Sequence, residues 1–217
     1  MEQHIKRYTG DDIDVTYDTV RCIHVAECLR RLPAVFDRER RPWILPNGAP
    51  ANSVAETVVT CPSGALHFER KDGGAAEVVS TQNTIRLIRN GPLHVRGDFT
   101  IVNGVGDVIL NDTRAALCRC GGSANKPLCD NTHKTIGFVA PDSVPEPMAI
   151  IEPLDGGKLT IETTTNGPLR ITGKFTVLNN RGEPVYQGTV AEFCRCGGSG
   201  TKPFCDGTHE KIGFVAE

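Results

Sequence analysis

The chain has no apolar run long enough to span a bilayer, and its opening, Met1 to Asp14, alternates charged and apolar residues where a secretory signal would hold an apolar stretch. It also lacks an excess of either charge: Lys and Arg number 24 against 26 Asp and Glu, a formal net charge of -2. That balance offers no extended basic surface for nucleic acid or anionic lipid. Missing too are a phosphate loop, a dinucleotide fingerprint and a Ser-His-Asp constellation. Gly104-Val-Gly106 reads as a turn, without the remaining glycine and the helix that a fingerprint needs. These absences argue against a membrane, a nucleic-acid partner and the common catalytic classes. The expectation is a soluble, cytoplasmic chain that is not an enzyme.

What the sequence does hold is cysteine, nine in 217 residues. With no secretory signal the thiols stay reduced, and an odd number in tight patterned clusters reads as metal ligands before disulfides. The alternatives are disulfide pairing and burial as small hydrophobes.

A duplication sets the architecture. Asn90 to Val139 aligns without a gap onto Asn166 to Val215, each residue matched to the one 76 positions later. Asn-Gly-Pro-Leu opens both copies, and Ile-Gly-Phe-Val closes both. The Pro-containing stretch Ala140 to Pro147 reads as the linker. Leu93 to Ile101 and Leu169 to Val177 alternate apolar and polar residues, as short antiparallel strands do. Asp130 and Asp206 are expected to cap a short helix in each copy. A unit this small has little core of its own, so the two copies are expected to pair in a pseudo-twofold sandwich, with strand exchange between two chains as the alternative.

The first copy reads Cys118-Arg-Cys120-Gly-Gly-Ser123, then Lys126-Pro127-Leu-Cys129-Asp-Asn-Thr-His133, and the second Cys194-Arg-Cys196-Gly-Gly-Ser199, then Lys202-Pro203-Phe-Cys205-Asp-Gly-Thr-His209. A Cys-x-x-x-His step sets two ligands one helical turn apart, and the glycines let backbone N–H groups approach sulfur. If the aspartates cap a helix, its free N–H groups also face an anionic centre. Cys-x-Cys departs from the Cys-x2-4-Cys spacing usual for structural zinc, the competing reading of three Cys and one His. Lys126 and Lys202 are candidates to donate to a ligand of the opposite copy, or are solvated surface lysines.

On these residues both copies resemble the CDGSH iron-sulfur domain family, mitoNEET-like and of tandem-motif bacterial type. That resemblance implies two 2Fe-2S clusters in a paired, strand-swapped β architecture. One is held by Cys118, Cys120, Cys129 and His133, the other by Cys194, Cys196, Cys205 and His209. Asn131 replaces the usual Gly of the motif, and Asn is the residue best able to take the left-handed backbone that Gly supplies. A histidine ligand removes one negative charge, so a raised potential is expected; an exposed imidazole nitrogen that gains a proton on reduction makes that potential fall with pH.

The first 71 residues share nothing with the repeat. Their opening alternation predicts a hairpin around Gly10-Asp-Asp12, and Val25 to Leu32 has helical spacing, stopped by Pro33. Cys22 and Cys28, with Cys61-Pro62 far downstream, resemble the divergent single-cluster ferredoxins in which the middle cysteine is replaced, here by Val25. Three thiolates imply a 3Fe-4S cluster. The alternative is 4Fe-4S with an outside ligand, for which His24 is the nearby candidate.

The resulting expectation is an α+β chain in three segments: residues 1–75 as a ferredoxin-like cluster domain, and residues 83–140 and 148–217 as CDGSH-type repeats pairing within one, monomeric chain. The function expected is electron transfer with redox partner proteins. Storage of clusters and delivery to apo-acceptor proteins, or redox and pH sensing, is the alternative.

Overall fold

The computed structural model describes residues 4–146, 154 and 156–216. Pro147 of the linker and the expected segment boundaries at 1, 148 and 217 lie outside them. The chain divides into two compact units, Met1–Val78 and Val79–Glu217, of mixed α and β structure in which strands predominate. Among the described residues no helix is long and apolar enough to cross a membrane.

In the first unit the expected hairpin forms between β1 (Ile5–Tyr8) and β2 (Ile13–Asp18), and β2 pairs antiparallel on its other edge with β3 (Leu66–Arg70). The sheet packs on α2 (Ala51–Val58) through Ile13, Val15, Val54, Val58 and Leu66, and Cys28 and Cys61 lie against this core. The helix expected over Val25 to Leu32 is shorter. As α1 it spans Glu27–Arg31, because His24 (φ 54) and Ala26 (φ 65) hold left-handed backbone that cannot belong to a right-handed helix. Asp14 is nearly buried and receives Lys71 Nζ at 2.9 Å, Arg7 NH1 at 3.0 Å and the Gly10 N–H at 3.2 Å. It thereby ties the hairpin loop to the end of β3.

The second unit holds β4 (Thr84–Leu87), β5 (Leu93–Asn103), β6 (Val108–Leu117), β7 (Leu159–Thr163), β8 (Leu169–Leu178) and β9 (Pro184–Phe193). Each repeat makes one long antiparallel hairpin, β5 with β6 and β8 with β9. The short strands β4 and β7 do something the alternation of β5 and β8 gave no hint of. Each pairs antiparallel with the hairpin of its own repeat and parallel with that of the other, β4 on β8 and β7 on β5. The pairings β4–β5, β5–β7, β7–β8 and β8–β4 therefore run in a closed circuit within one six-stranded sheet. The two parallel registers are copies of each other: Ile85 faces Val177, and Ile161 faces Ile101, each pair 76 residues removed from its counterpart. Gly97 (φ 149) and Gly173 (φ 116) sit at matched register shifts in β5 and β8, where a bulge needs backbone that other residues resist.

One core serves both repeats. Phe99, Ile101, Leu93 and Ile85 come from the first, and Phe175, Val177, Leu169 and Ile161 from matched positions of the second, all fully buried.

Two outcomes follow from this packing. Phe99→Ala and Phe175→Ala, at equivalent buried positions, should each cost about 3–5 kcal/mol, read from denaturant unfolding. In the first unit Lys71 above all, then Arg7 and the Gly10 N–H, outweigh burial and hold the Asp14 carboxyl below its ordinary range. Its stabilisation is thus present above the ordinary carboxylate pKa of about 3.9 and fades as pH falls through the lower folded value. Asp14→Asn should cost about 1–2 kcal/mol at neutral pH, and the difference from the unaltered chain should shrink in acid unfolding curves below about pH 4.

Candidate metal centres

The last residues of β6 and β9 lead directly into the cysteine loops, and both loops fold back onto the strand they leave. Cys118 N–H donates to Pro127 O and Cys129 N–H to Ala116 O, both at 2.8 Å. Cys194 N–H to Pro203 O and Cys205 N–H to Glu192 O repeat the pattern at 2.8 Å. This closure sets the first and third cysteine of each loop on either side of a bridge, Leu117 with Leu128 and Phe193 with Phe204, at the strand end. Ser123 Oγ on Leu128 O and Ser199 Oγ on Phe204 O, each 2.7 Å, brace the loop from within.

Donor atoms then meet in pairs. Cys118 and Cys120 sulfurs are 3.7 Å apart, as are those of Cys194 and Cys196. Cys129 Sγ lies 3.5 Å from His133 Nδ1, and Cys205 Sγ 3.3 Å from His209 Nδ1. Two thiolates about 2.3 Å from one tetrahedral metal stand about 3.8 Å apart, and a thiolate and an imidazole nitrogen about 3.5 Å. Each pair is thus spaced to share one metal. Among the described residues, however, no group of three or more Cys, His, Asp or Glu is placed to hold a single ion. Two two-donor pairs per loop fit a binuclear centre; a mononuclear structural zinc needs all four donors around one ion.

The short helices following the third cysteines are α3 (Thr132–Thr135) and α4 (Thr208–Lys211). The residue at each N-terminus is Asn131 (φ 74) or Gly207 (φ 80), so Asn131 does take the left-handed conformation. Asp130 and Asp206 stand one residue further out. Their carboxylates receive the N–H of Thr132 or Thr208, and that of Ala124 or Gly200 across the loop. Four residues are too few for an appreciable helix dipole. The expected N–H donation to sulfur comes instead from individual backbone groups, among them Asn131 N–H to Cys129 and Gly198 N–H to Cys196, each 3.4 Å, and the N–H groups of Gly121 on Cys118 and Gly197 on Cys194. Lys126 and Lys202 donate to Ser123 O (2.6 Å) and Ser199 O (2.5 Å) of their own loops, so their ammonium groups are engaged locally and not by ligands of the opposite repeat.

Burial makes these thiols reluctant to ionise. It pushes Cys129 and Cys194 up to about 11, while the Cys120 S–H and neighbouring backbone N–H groups hold Cys118 down to about 6. A bound metal supplies the positive charge that lets several such thiolates coexist. The sites also differ in openness. Cys129 and His133 are 3% and 8% exposed, whereas Cys205 and His209 are half-buried. His94 of β5, which the sequence reading did not single out, sits beside the first site; burial first, then Arg86 and His133, lowers it to about 4 and keeps it neutral. Its counterpart in the second repeat is Arg170.

In the first unit Cys22, Cys28 and Cys61 line one cavity of about 30 Å³ with Tyr17, Trp43 and Pro62. Burial, followed by the proximity of Cys61 and Cys22, pushes the Cys28 thiol up to about 11. His24 Nδ1 lies 3.7 Å from Cys22 Sγ.

Comparison with known proteins agrees with this layout. Residues 8–71 match the family described as divergent 4Fe-4S mono-cluster, and residues 90–134 and 166–210 each match the iron-binding zinc finger of CDGSH type. The chain is 41% identical over 64 residues to the uncharacterized protein YjdI of Escherichia coli K12, and equally to that of strain O157:H7. The match covers 30% of this chain and 84% of each relative. No solved structure gives a significant match.

The difference in openness carries a prediction. Under an iron chelator, the repeat-site absorption of a chain keeping only the second of the two repeat sites (Cys120→Ser) should bleach several-fold faster than that of one keeping only the first (Cys196→Ser), the first unit's site being common to both.

Proposed function

The chain belongs to the divergent 4Fe-4S mono-cluster family over its first domain and carries two tandem CDGSH-type iron-binding domains, and from that premise we propose that it is a three-cluster electron-transfer protein. The observation that carries this reading is the donor spacing: a Cys/Cys pair and a Cys/His pair, each spaced for one metal, occurring twice at a fixed offset. Cys118 and Cys120 would hold one iron of a 2Fe-2S centre, with Cys129 and His133 on the other. Cys194, Cys196, Cys205 and His209 would do the same in the second repeat.

Such centres supply one-electron transfer when bound. The protein residues set its terms. Each imidazole removes one thiolate charge and favours the reduced state, the N–H groups of Asn131 and Gly198 spread charge from sulfur, and burial of the first site keeps water from its ligands. Cys22, Cys28 and Cys61 would hold the third cluster. Three thiolates suit 3Fe-4S, while the family description favours 4Fe-4S with one iron lacking a cysteine. Residues 1–75, 83–140 and 148–217 serve as the three functional segments. The matched parallel registers support a pseudo-twofold pairing of the repeats within one monomeric chain. Redox proteins are the partners, in the cytoplasm. A second reading, delivery of a cluster to an apo-acceptor, draws support from the more open Cys205–His209 pair.

Assay of iron and acid-labile sulfide in anaerobically prepared protein tests the proposal. About seven irons per chain are expected with 3Fe-4S and about eight with 4Fe-4S. About one zinc per repeat, without sulfide, would contradict it.

A further inference from the structure

Between the paired cysteines of each loop sits an arginine that is almost completely buried: Arg119 and Arg195 are each 1% exposed. Arg119 gives Nε to Gly91 O at 2.8 Å and NH2 to Ile88 O at 2.6 Å, and its carbon lies 5.8 Å from the centre of the Phe138 ring. Arg195 repeats this on Gly167 O, Thr164 O and Phe214, with a further bond to Ala216 O. The two acceptors of Arg119 are neutral. A guanidinium taken out of water needs a counter-charge as well as hydrogen bonds, and Arg119 NH1 has no hydrogen-bond partner among the described residues.

The loops of the two repeats lie back to back. A Cβ on Gly121 would run into the carbonyl oxygen of Cys196, and one on Gly197 into that of Cys120, so only hydrogen separates the two backbones there. Across this contact Cys194, once ionised, is the first charge that raises Arg119, ahead of Asp142, which Arg89 already binds at 2.8 Å; among the described residues Cys118 does the same for Arg195. The relation is reciprocal: each arginine faces the first cysteine of the opposite site.

We propose, resting on the cluster reading above, that Arg119 and Arg195 are crossed counter-cations, each the internal counter-charge of the cluster held by the other repeat, so that the two sites are electrostatically linked. They are positioning residues and touch no reacting atom. The same arginines also pin the Asn-Gly turns through the carbonyl oxygens of Ile88, Gly91, Thr164 and Gly167. The test must therefore separate charge from scaffolding.

The decisive variant is Arg119→Gln in a full-length chain whose first site is emptied by Cys120→Ser and Cys129→Ser. The potential of the second-repeat 2Fe-2S cluster is then read by EPR-monitored redox titration, which separates its signal from that of the first-unit cluster. Loss of the cation should disfavour the reduced state about tenfold, about 59 mV for a one-electron couple, and Arg119→Lys should recover most of the shift. Arg195→Gln, read on a chain keeping only the first cluster, is the reciprocal measurement and decides the matter if the first variant does not fold. A further readout is thermal: Arg119→Met should lower the Tm of the cluster-loaded chain more than that of the cluster-free chain, whereas a purely structural arginine costs the same in both. A chain that takes up no iron and sulfide overturns the cluster reading itself. One that takes them up, with potentials indifferent to the opposite arginine, overturns this proposal alone.

Discussion

The parallel pairing of β4 on β8 and β7 on β5 is the constraint from which the rest of the second unit follows. Without it each repeat would be a three-stranded antiparallel meander and a loop, exposing Phe99 or Phe175 on a face with nothing to cover it. With it, the apolar faces of both hairpins close over a single core, and each repeat becomes part of the other's interior. Parallel pairing between segments about ninety residues apart for β4 and β8 and about sixty for β7 and β5 costs loop-closure entropy, so it is retained only where burial repays it. Here the return is large, because most core positions are filled twice. The same closure brings the ends of β6 and β9 together and presses Gly121 and Gly197 against the opposite loop.

Positive charge is buried at this contact and negative charge is concentrated beside it. Three thiolates in each loop and one guanidinium behind each loop are individually costly in a medium of low dielectric. Placed together they compensate one another, provided metal is present to hold the thiolates ionised. The fold is thus built around charges that a bare polypeptide would rather neutralise, and the raised thiol values of Cys28, Cys129 and Cys194 express that reluctance. The two repeats are not equivalent in this respect. His94 stands beside the first site where Arg170 occupies the second, and the first Cys/His pair is more deeply buried.

Much of this was legible in the sequence because it is local. The duplication, the cysteine spacing, the hairpin at Gly10 and the left-handed Asn131 all follow from residues close in the chain. What escaped is what depends on distant partners. Thr84–Leu87 is too short to declare its two neighbours, and an arginine between two cysteines does not declare what it faces until the opposite loop is in place. The lysines drew attention because they are charged and conspicuous, yet Lys126 and Lys202 only brace their own loops. The helix over Val25 to Leu32 lost its start to backbone at His24 and Ala26 that hydrophobic spacing does not report.

The central claim is that three distinct iron-sulfur centres occupy one chain, and EPR spectroscopy of anaerobically purified protein tests it most directly. The account predicts reduced-state signals of 2Fe-2S centres after dithionite, accompanied either by an oxidised-state 3Fe-4S signal or by a further reduced-state 4Fe-4S signal from the first domain. Silence in both oxidation states, with zinc in place of iron, would contradict it.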